Sequence, residues 1–116
     1  MEEQGERPLV SVVIPAYNEE AAIGEDLDKL KAAMDASPFS YEVIVVDDGS
    51  RDRTAAIVRE RPWVQLLQHA KNRGTGAARN TGIEAARGEI IAMSDGDGTY
   101  PVKDIPKLVQ FLLEGK

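Results

Sequence analysis

Glu42-Val-Ile-Val-Val46 runs without a break into Asp47-Asp48-Gly49-Ser50, and further on Glu89-Ile-Ile-Ala-Met93 runs into Ser94-Asp95-Gly96-Asp97-Gly98. A short apolar run rich in β-branched residues and bounded by turn residues reads as a strand covered on both faces. Carboxylates standing directly after such strands belong to loops at the carboxyl edge of a sheet. There they escape burial in the core, and open α/β sheets take their ligands at that edge.

The rest of the chain extends the same grammar. Leu9-Val-Ser-Val-Val-Ile14, closed by Pro15, reads as a central parallel strand. Asn18 is placed to cap the helix that follows, with Glu19 and Glu20 favourable against its dipole. Ile23, Leu27, Leu30 and Met34 then recur at helical spacing, the apolar stripe of a helix lying on a sheet. After the strand 42–46, Ser50 or Asp52 caps a second helix that runs to about Glu60. Val64-Gln-Leu-Leu67 is a shorter third strand, and Asn72-Arg-Gly-Thr-Gly76 leads into a small-residue helix, Ala77 to Ala86. Glu89 to Met93 is the fourth strand, and Asp104 or Pro106 opens a last helix that Gly115 stops. The order β-α-β-α-β-α-β-α implies an α/β fold: a mostly parallel sheet with flanking helices and right-handed crossovers.

The 116 residues suit a single domain, expected over 9–116 after a flexible start at 1–8. Fourteen basic against twenty acidic residues give a net charge of −6 and a pI near 4.8, so no general attraction to a nucleic-acid backbone is expected. Without cysteine there is neither a disulfide frame nor a thiolate metal site, and the single histidine, His69, cannot build a His-rich one. No apolar run approaches the ~20 residues needed to cross a bilayer.

Asp95-Gly96-Asp97 reads in two ways. Alternate residues of an extended segment point the same way, so the two carboxylates suit a hard divalent cation such as Mg²⁺ or Mn²⁺. Asp and Gly are equally the commonest turn residues. Asp47 and Asp48 read either as a helix cap beside a solvated acid, or as acceptors for a base N–H or a ribose hydroxyl. Tyr17 in Pro15-Ala-Tyr-Asn-Glu19 is either a half-buried aromatic or a ring that stacks on a nucleobase. Arg73-Gly-Thr-Gly76 before a helix has the look of an anion site, but its spacing matches neither the G-x-G-x-x-G nor the Walker pattern. Its small residues also suit close helix-to-sheet packing. His69 and Trp63 read as structural.

Taken together and in order, VSVVIPAYNEE, VIVVDDGSRDRT, NRGTGAARNTGIEAARGE and SDGDGTYP resemble the N-terminal half of family 2 glycosyltransferases of the GT-A fold. The likeness runs from Leu9 to Leu113 and is greatest to the polyprenyl- and dolichyl-phosphate sugar synthases. It implies a Rossmann-like, nucleotide-sugar-binding half in which Pro15, Ala16, Tyr17 and Glu19 line the nucleoside pocket. Asp48, with Asp47, would hold the base, and Asp95 would lie by the ribose or diphosphate. Asp97 would be the principal ligand of Mg²⁺ or Mn²⁺. The implied donor is a UDP- or GDP-linked sugar and the implied acceptor a membrane lipid phosphate. The implied location is cytoplasmic, with the full-length protein at the cytoplasmic face of the membrane.

Family members continue well beyond the length of this chain, so it is expected to be a fragment of a longer enzyme. The general base and the acceptor-binding residues are then expected beyond Lys116, and none of the residues present is assigned either role. An uncovered sheet edge would favour pairing with a second copy. Other classes fit less well. A nucleotidyltransferase calls for a Gly-rich basic loop where Pro15-Ala-Tyr-Asn-Glu19 stands. A receiver domain calls for acids after the first and third strands rather than the second and fourth. A catalytically inert nucleotide-binding module needs only the residues present.

Overall fold

The β-branched runs form one sheet. In the computed structural model, which describes residues 7–94 and 102–115, the elements are β1 (Val10–Ala16), α1 (Ile23–Asp35), β2 (Tyr41–Asp47), α2 (Thr54–Arg59), β3 (Val64–Gln68), α3 (Thr75–Ala85), β4 (Ile90–Met93), a 3₁₀ turn (Val102–Asp104) and α4 (Ile105–Glu114). The strand order is β3-β2-β1-β4, and every pair is parallel. The α/β class and the alternating order are as expected.

Burial explains the strand sequences. β1 is buried throughout and β2 almost so, which is why both read as continuous apolar runs. The outer strands β3 and β4 are only partly covered, and β3 accordingly carries Gln65 and Gln68. β1 passes through Pro15 to Ala16, beyond the end expected at Pro15. Pro15 shares with Val13 the side of the strand turned to β4, and β4 stops pairing at Val13–Met93, so no ladder bond is asked of the proline nitrogen.

The two faces of the sheet differ. One is covered by α1, α2 and α4, whose Ile23, Leu27, Leu30, Met34, Val58, Ile105 and Val109 pack on Val10, Val12, Ile14, Val43 and Val45. Among the described residues the other is covered by α3, with Ala78 against Ile44 and Val46. Helices joining β1 to β2 and β2 to β3 lie on one face while the helix returning from β3 to β4 lies on the other, as right-handed crossovers require once β4 is placed beyond β1. The reversal of strand order at β1 puts a crevice at the carboxyl ends of β1 and its neighbours.

One local expectation fails. Asn18 does not cap α1, which begins at Ile23 after Ala22; Asn18 instead takes a left-handed conformation, φ 53°, in the loop after β1. Asn tolerates that region because its short side chain can bond locally. For α2, Asp52 accepts the Thr54 N–H, whereas Ser50 is drawn into another contact. Trp63 packs against the main core with the Lys31 ammonium 5.2 Å above its ring, in keeping with a structural part. Residues 1–6 of the expected flexible start, the segment Asp95 to Pro101 and Lys116 lie outside the described residues. The domain boundary expected at Lys116 falls there too, as do the catalytic base and acceptor residues expected beyond it; α4, whose described part ends at Glu114 before Gly115, is the last element described.

Candidate functional site

The carboxyl ends of β1 and β2 are adjacent in register, Ala16 opposite Asp47, so the loops that follow leave the sheet side by side. Loop amides have no ladder and must find other acceptors. They find them in each other. Asn18 N–H donates to Ser50 Oγ at 2.8 Å, and Arg51 N–H returns to Asn18 Oδ1 at 2.9 Å. Glu19 N–H donates to Thr54 Oγ1 at 2.8 Å, Glu20 N–H to Asp52 Oδ2 at 3.2 Å, and Arg53 N–H to Glu20 Oε1 at 2.9 Å. The polar residues of Gly49-Ser-Arg-Asp-Arg-Thr54 thus hold the PAYNEE loop in place.

A third loop is tied to the second by Asp48. Its side chain is 4% exposed and accepts three hydrogen bonds, all from the connection between β3 and α3. His69 Nδ1–H donates to Oδ1 at 2.7 Å, Arg73 N–H to Oδ1 at 2.9 Å and Gly74 N–H to Oδ2 at 2.9 Å. Burial opposes the charged form, but the bond from His69 and those from the two backbone amides together outweigh it and hold the carboxyl below its ordinary value. Gly49, at φ 80°, lets the two loops meet: a Cβ there would stand 2.5 Å from Asn72 N.

The ends of β1 and β2 with the loops that follow them, and the first turn of α3, border a half-open cleft of about 90 Å³ lined by Pro15, Ala16, Tyr17, Glu19, Asp48, Thr75 and Ala78. The structure therefore brings Pro15, Ala16, Tyr17, Glu19 and Asp48 around one space, with the Tyr17 ring half exposed at its margin. Asp47 is not among them. It is buried, with Oδ1 accepting the Ser50 N–H at 3.1 Å and Oδ2 facing Gln68 Nε2 at 3.5 Å, and so it closes the turn after β2. Thr75 and Ala78, the first turn of α3, line the cleft without having been singled out as pocket residues. Their only sequence signal was the small-residue run after Arg73-Gly74. The link from His69 to Asp48 spans 21 residues, and no local pattern announces it.

The cleft offers acceptor oxygens and an aromatic face, and none of the described residues lining it is cationic. Asp95 and Asp97 lie outside the described residues, and their stretch leaves from Ser94, whose N–H is bonded to Val13 O at 3.1 Å. Among the described residues no group of three or more His, Cys, Asp or Glu is placed to hold a metal ion. Nor is any described helix long and apolar enough to cross a membrane.

The family model described as glycosyl transferase family 2 matches residues 11–116. The chain belongs to glycosyl transferase family 2. Among its relatives in that family are the undecaprenyl-phosphate 4-deoxy-4-formamido-L-arabinose transferase of Aeromonas hydrophila, 40% identical over 114 residues, and the human dolichyl-phosphate beta-glucosyltransferase, 41% identical over 110. The alignments cover 92% and 85% of this chain, but only 34% of either relative, so the chain spans about a third of their length. Among solved structures, the mannosyltransferase PcManGT from Pyrobaculum calidifontis, in complex with GDP-Man and Mn²⁺, superposes with a TM-score of 0.77 at 33% identity, covering 93% of this chain and 33% of that one. The family 2 motifs VSVVIPAYNEE and VIVVDDGSRDRT are the two strands and loops whose amides interlock above.

Proposed function

We propose that this chain is the donor-binding part of a glycosyltransferase that moves a sugar from a nucleoside diphosphate to a polyprenyl phosphate or a similar lipid phosphate. The observation that carries the reading is the cleft at the ends of β1 and β2, where an aromatic ring and a buried carboxylate face the same space. Pro15, Ala16 and Tyr17 would form its apolar wall and Glu19 its rim, with Asp48 accepting from a base N–H. That PcManGT was solved with GDP-Man, and that the relatives carry undecaprenyl- and dolichyl-phosphate in their names, supports the donor class and the acceptor class. The general base and the acceptor contacts would be supplied by sequence beyond Lys116, in the part of the relatives that this chain does not span.

The charge of the cleft bears on the metal. A diphosphate is strongly anionic, and the described lining supplies Glu19 and Asp48 but no cation. Hard oxygen donors in the Asp95-Gly-Asp97 stretch fit Mg²⁺ or Mn²⁺, with Asp97 the principal ligand and Asp95 beside the ribose or diphosphate. The ion would supply Lewis-acid stabilisation of the departing nucleoside diphosphate. A lipid-phosphate acceptor would put the whole protein at the cytoplasmic face of a membrane.

Calorimetry with UDP and GDP, each with Mn²⁺ and again with chelator, tests the reading. Binding of one of them that is tighter with the metal is the expected result. Absence of binding for both, with the chain folded, would overturn it.

A further inference from the structure

Among the described residues Asp48 is the only buried carboxylate lining the cleft, yet nothing on its own strand or loop orients its oxygens. All three donors come from residues 69–74. Two of these are backbone amides; the third is the imidazole of His69, a side chain 6% exposed. An ionised carboxylate only accepts, so Nδ1 carries the proton. The ring is held from its other side as well, with Nε2 2.9 Å from Thr81 Oγ1 on α3. Thr81 lies one turn beyond Ala78, which lines the cleft, and one residue before Gly82, which fixes the height of α3 above β1.

Lone-pair accounting gives this arrangement a consequence. Each carboxylate oxygen has two acceptor sites. His69 and Arg73 fill both sites on Oδ1, and Gly74 fills one on Oδ2. Among the described residues one acceptor site on Oδ2 is left. A base that presents an N–H there, as uracil and guanine do, gains a charge-assisted hydrogen bond. Cytosine and adenine present a ring-nitrogen lone pair at the corresponding position and are repelled. If the imidazole were absent, Oδ1 would regain a free site and the carboxylate could turn.

We propose that His69 is a positioning residue that sets which lone pair of Asp48 meets the bound base and thereby sharpens the cleft's choice among nucleotides. The role rests on the donor-binding reading above and deepens it.

The test compares UDP, GDP, CDP and ADP binding to the 116-residue chain with Mn²⁺, for the wild type, His69→Ala, His69→Asn and Thr81→Val. In the wild type, UDP or GDP is expected to bind at least about tenfold tighter than CDP and ADP, the worth of one hydrogen bond to a charged group. His69→Ala is expected to cut the preferred nucleotide's affinity by about tenfold and to narrow that ratio. His69→Asn places an amide N–H near the Nδ1 position and should restore most of both. Thr81→Val removes only the outer anchor and should narrow the ratio partway. Nitrogen NMR of the wild-type ring gives a readout that needs no variant, with the proton expected on Nδ1. Three results overturn the role: a folded His69→Ala that keeps the wild-type ratio, a folded His69→Asn that restores nothing, or a ring without a proton on Nδ1. Should His69→Ala not fold, an unchanged ratio in Thr81→Val does so instead. A wild type that binds none of the four sinks the donor-binding reading itself, and this role with it.

Discussion

Gly82 of α3 stands directly over Val13 of β1, so close that a Cβ on the glycine would overlap the Val13 Cγ1 methyl and come within 3.3 Å of Val46 Cγ2. The helix that carries Thr75, Ala78 and Thr81 to the cleft is therefore set at its height by a missing side chain.

Gly82→Ala weighs two effects of opposite sign. Alanine in a helix interior is favoured over glycine by up to about 1 kcal/mol, whereas overpacking a tight contact costs about 1–3 kcal/mol. Both Cβ neighbours are sheet side chains held by the central strands, so overpacking is expected to win. Urea denaturation should show a lower midpoint with an unchanged slope, and a higher midpoint would mean that α3 lifts freely from β1.

Asp48 ties stability to pH. Its folded-state value lies below the ordinary 3.8, so its contribution is complete above the unfolded value and is lost as pH falls through the folded one. The stability gap between wild type and Asp48→Asn should thus be full at pH 7 and shrink below about pH 4. Other acids lowered in the fold, such as Asp52, are common to both proteins and cancel in the difference. Asp48→Ala leaves the buried His69 imidazole and two loop amides without their acceptor, at a cost of about 1–3 kcal/mol. That is a large part of the ~5–15 kcal/mol typical of a domain. A gap that stays constant from pH 7 to pH 3 would show that Asp48 is not ionised in the fold.

Asp97→Ala should remove most of the metal-dependent part of nucleotide binding and leave the metal-independent part. Calorimetry with Mn²⁺ and with chelator separates the two. If the metal increment survives the substitution, Asp95-Gly-Asp97 is a turn and the ligand assignment is wrong.

The outer face of α4 predicts association. Phe111 is 70% exposed and Leu108 and Leu112 share its side of the helix, while β4 is an outer strand of the sheet. Apolar patches of this kind, and strand edges, seek partners. Sedimentation at micromolar concentration is expected to show self-association that Phe111→Glu reduces. A monomer in both proteins would refute it.

Periodicity and run length alone established the α/β class, the alternating element order, the core stripe Ile23, Leu27, Leu30, Met34 and the loops that meet at one edge, because burial on both faces of β1 and β2 imposes apolar runs that no local rearrangement can disguise. The lining Pro15, Ala16, Tyr17, Glu19 and Asp48 was named through the family resemblance, while run length placed these residues at or just past the carboxyl ends of β1 and β2. Only the tertiary structure decided how the polar residues are spent. Asn18 gave up a helix cap for the Arg51 amide, Asp47 turned to the Ser50 amide, and Asp48 took three donors from the loop after β3. Hydrogen bonds between residues 20 to 35 positions apart leave no periodic trace in a sequence, since an acid that binds a ligand and an acid that binds a neighbouring loop are the same letter. Which it becomes depends on the donors the fold brings within 3 Å.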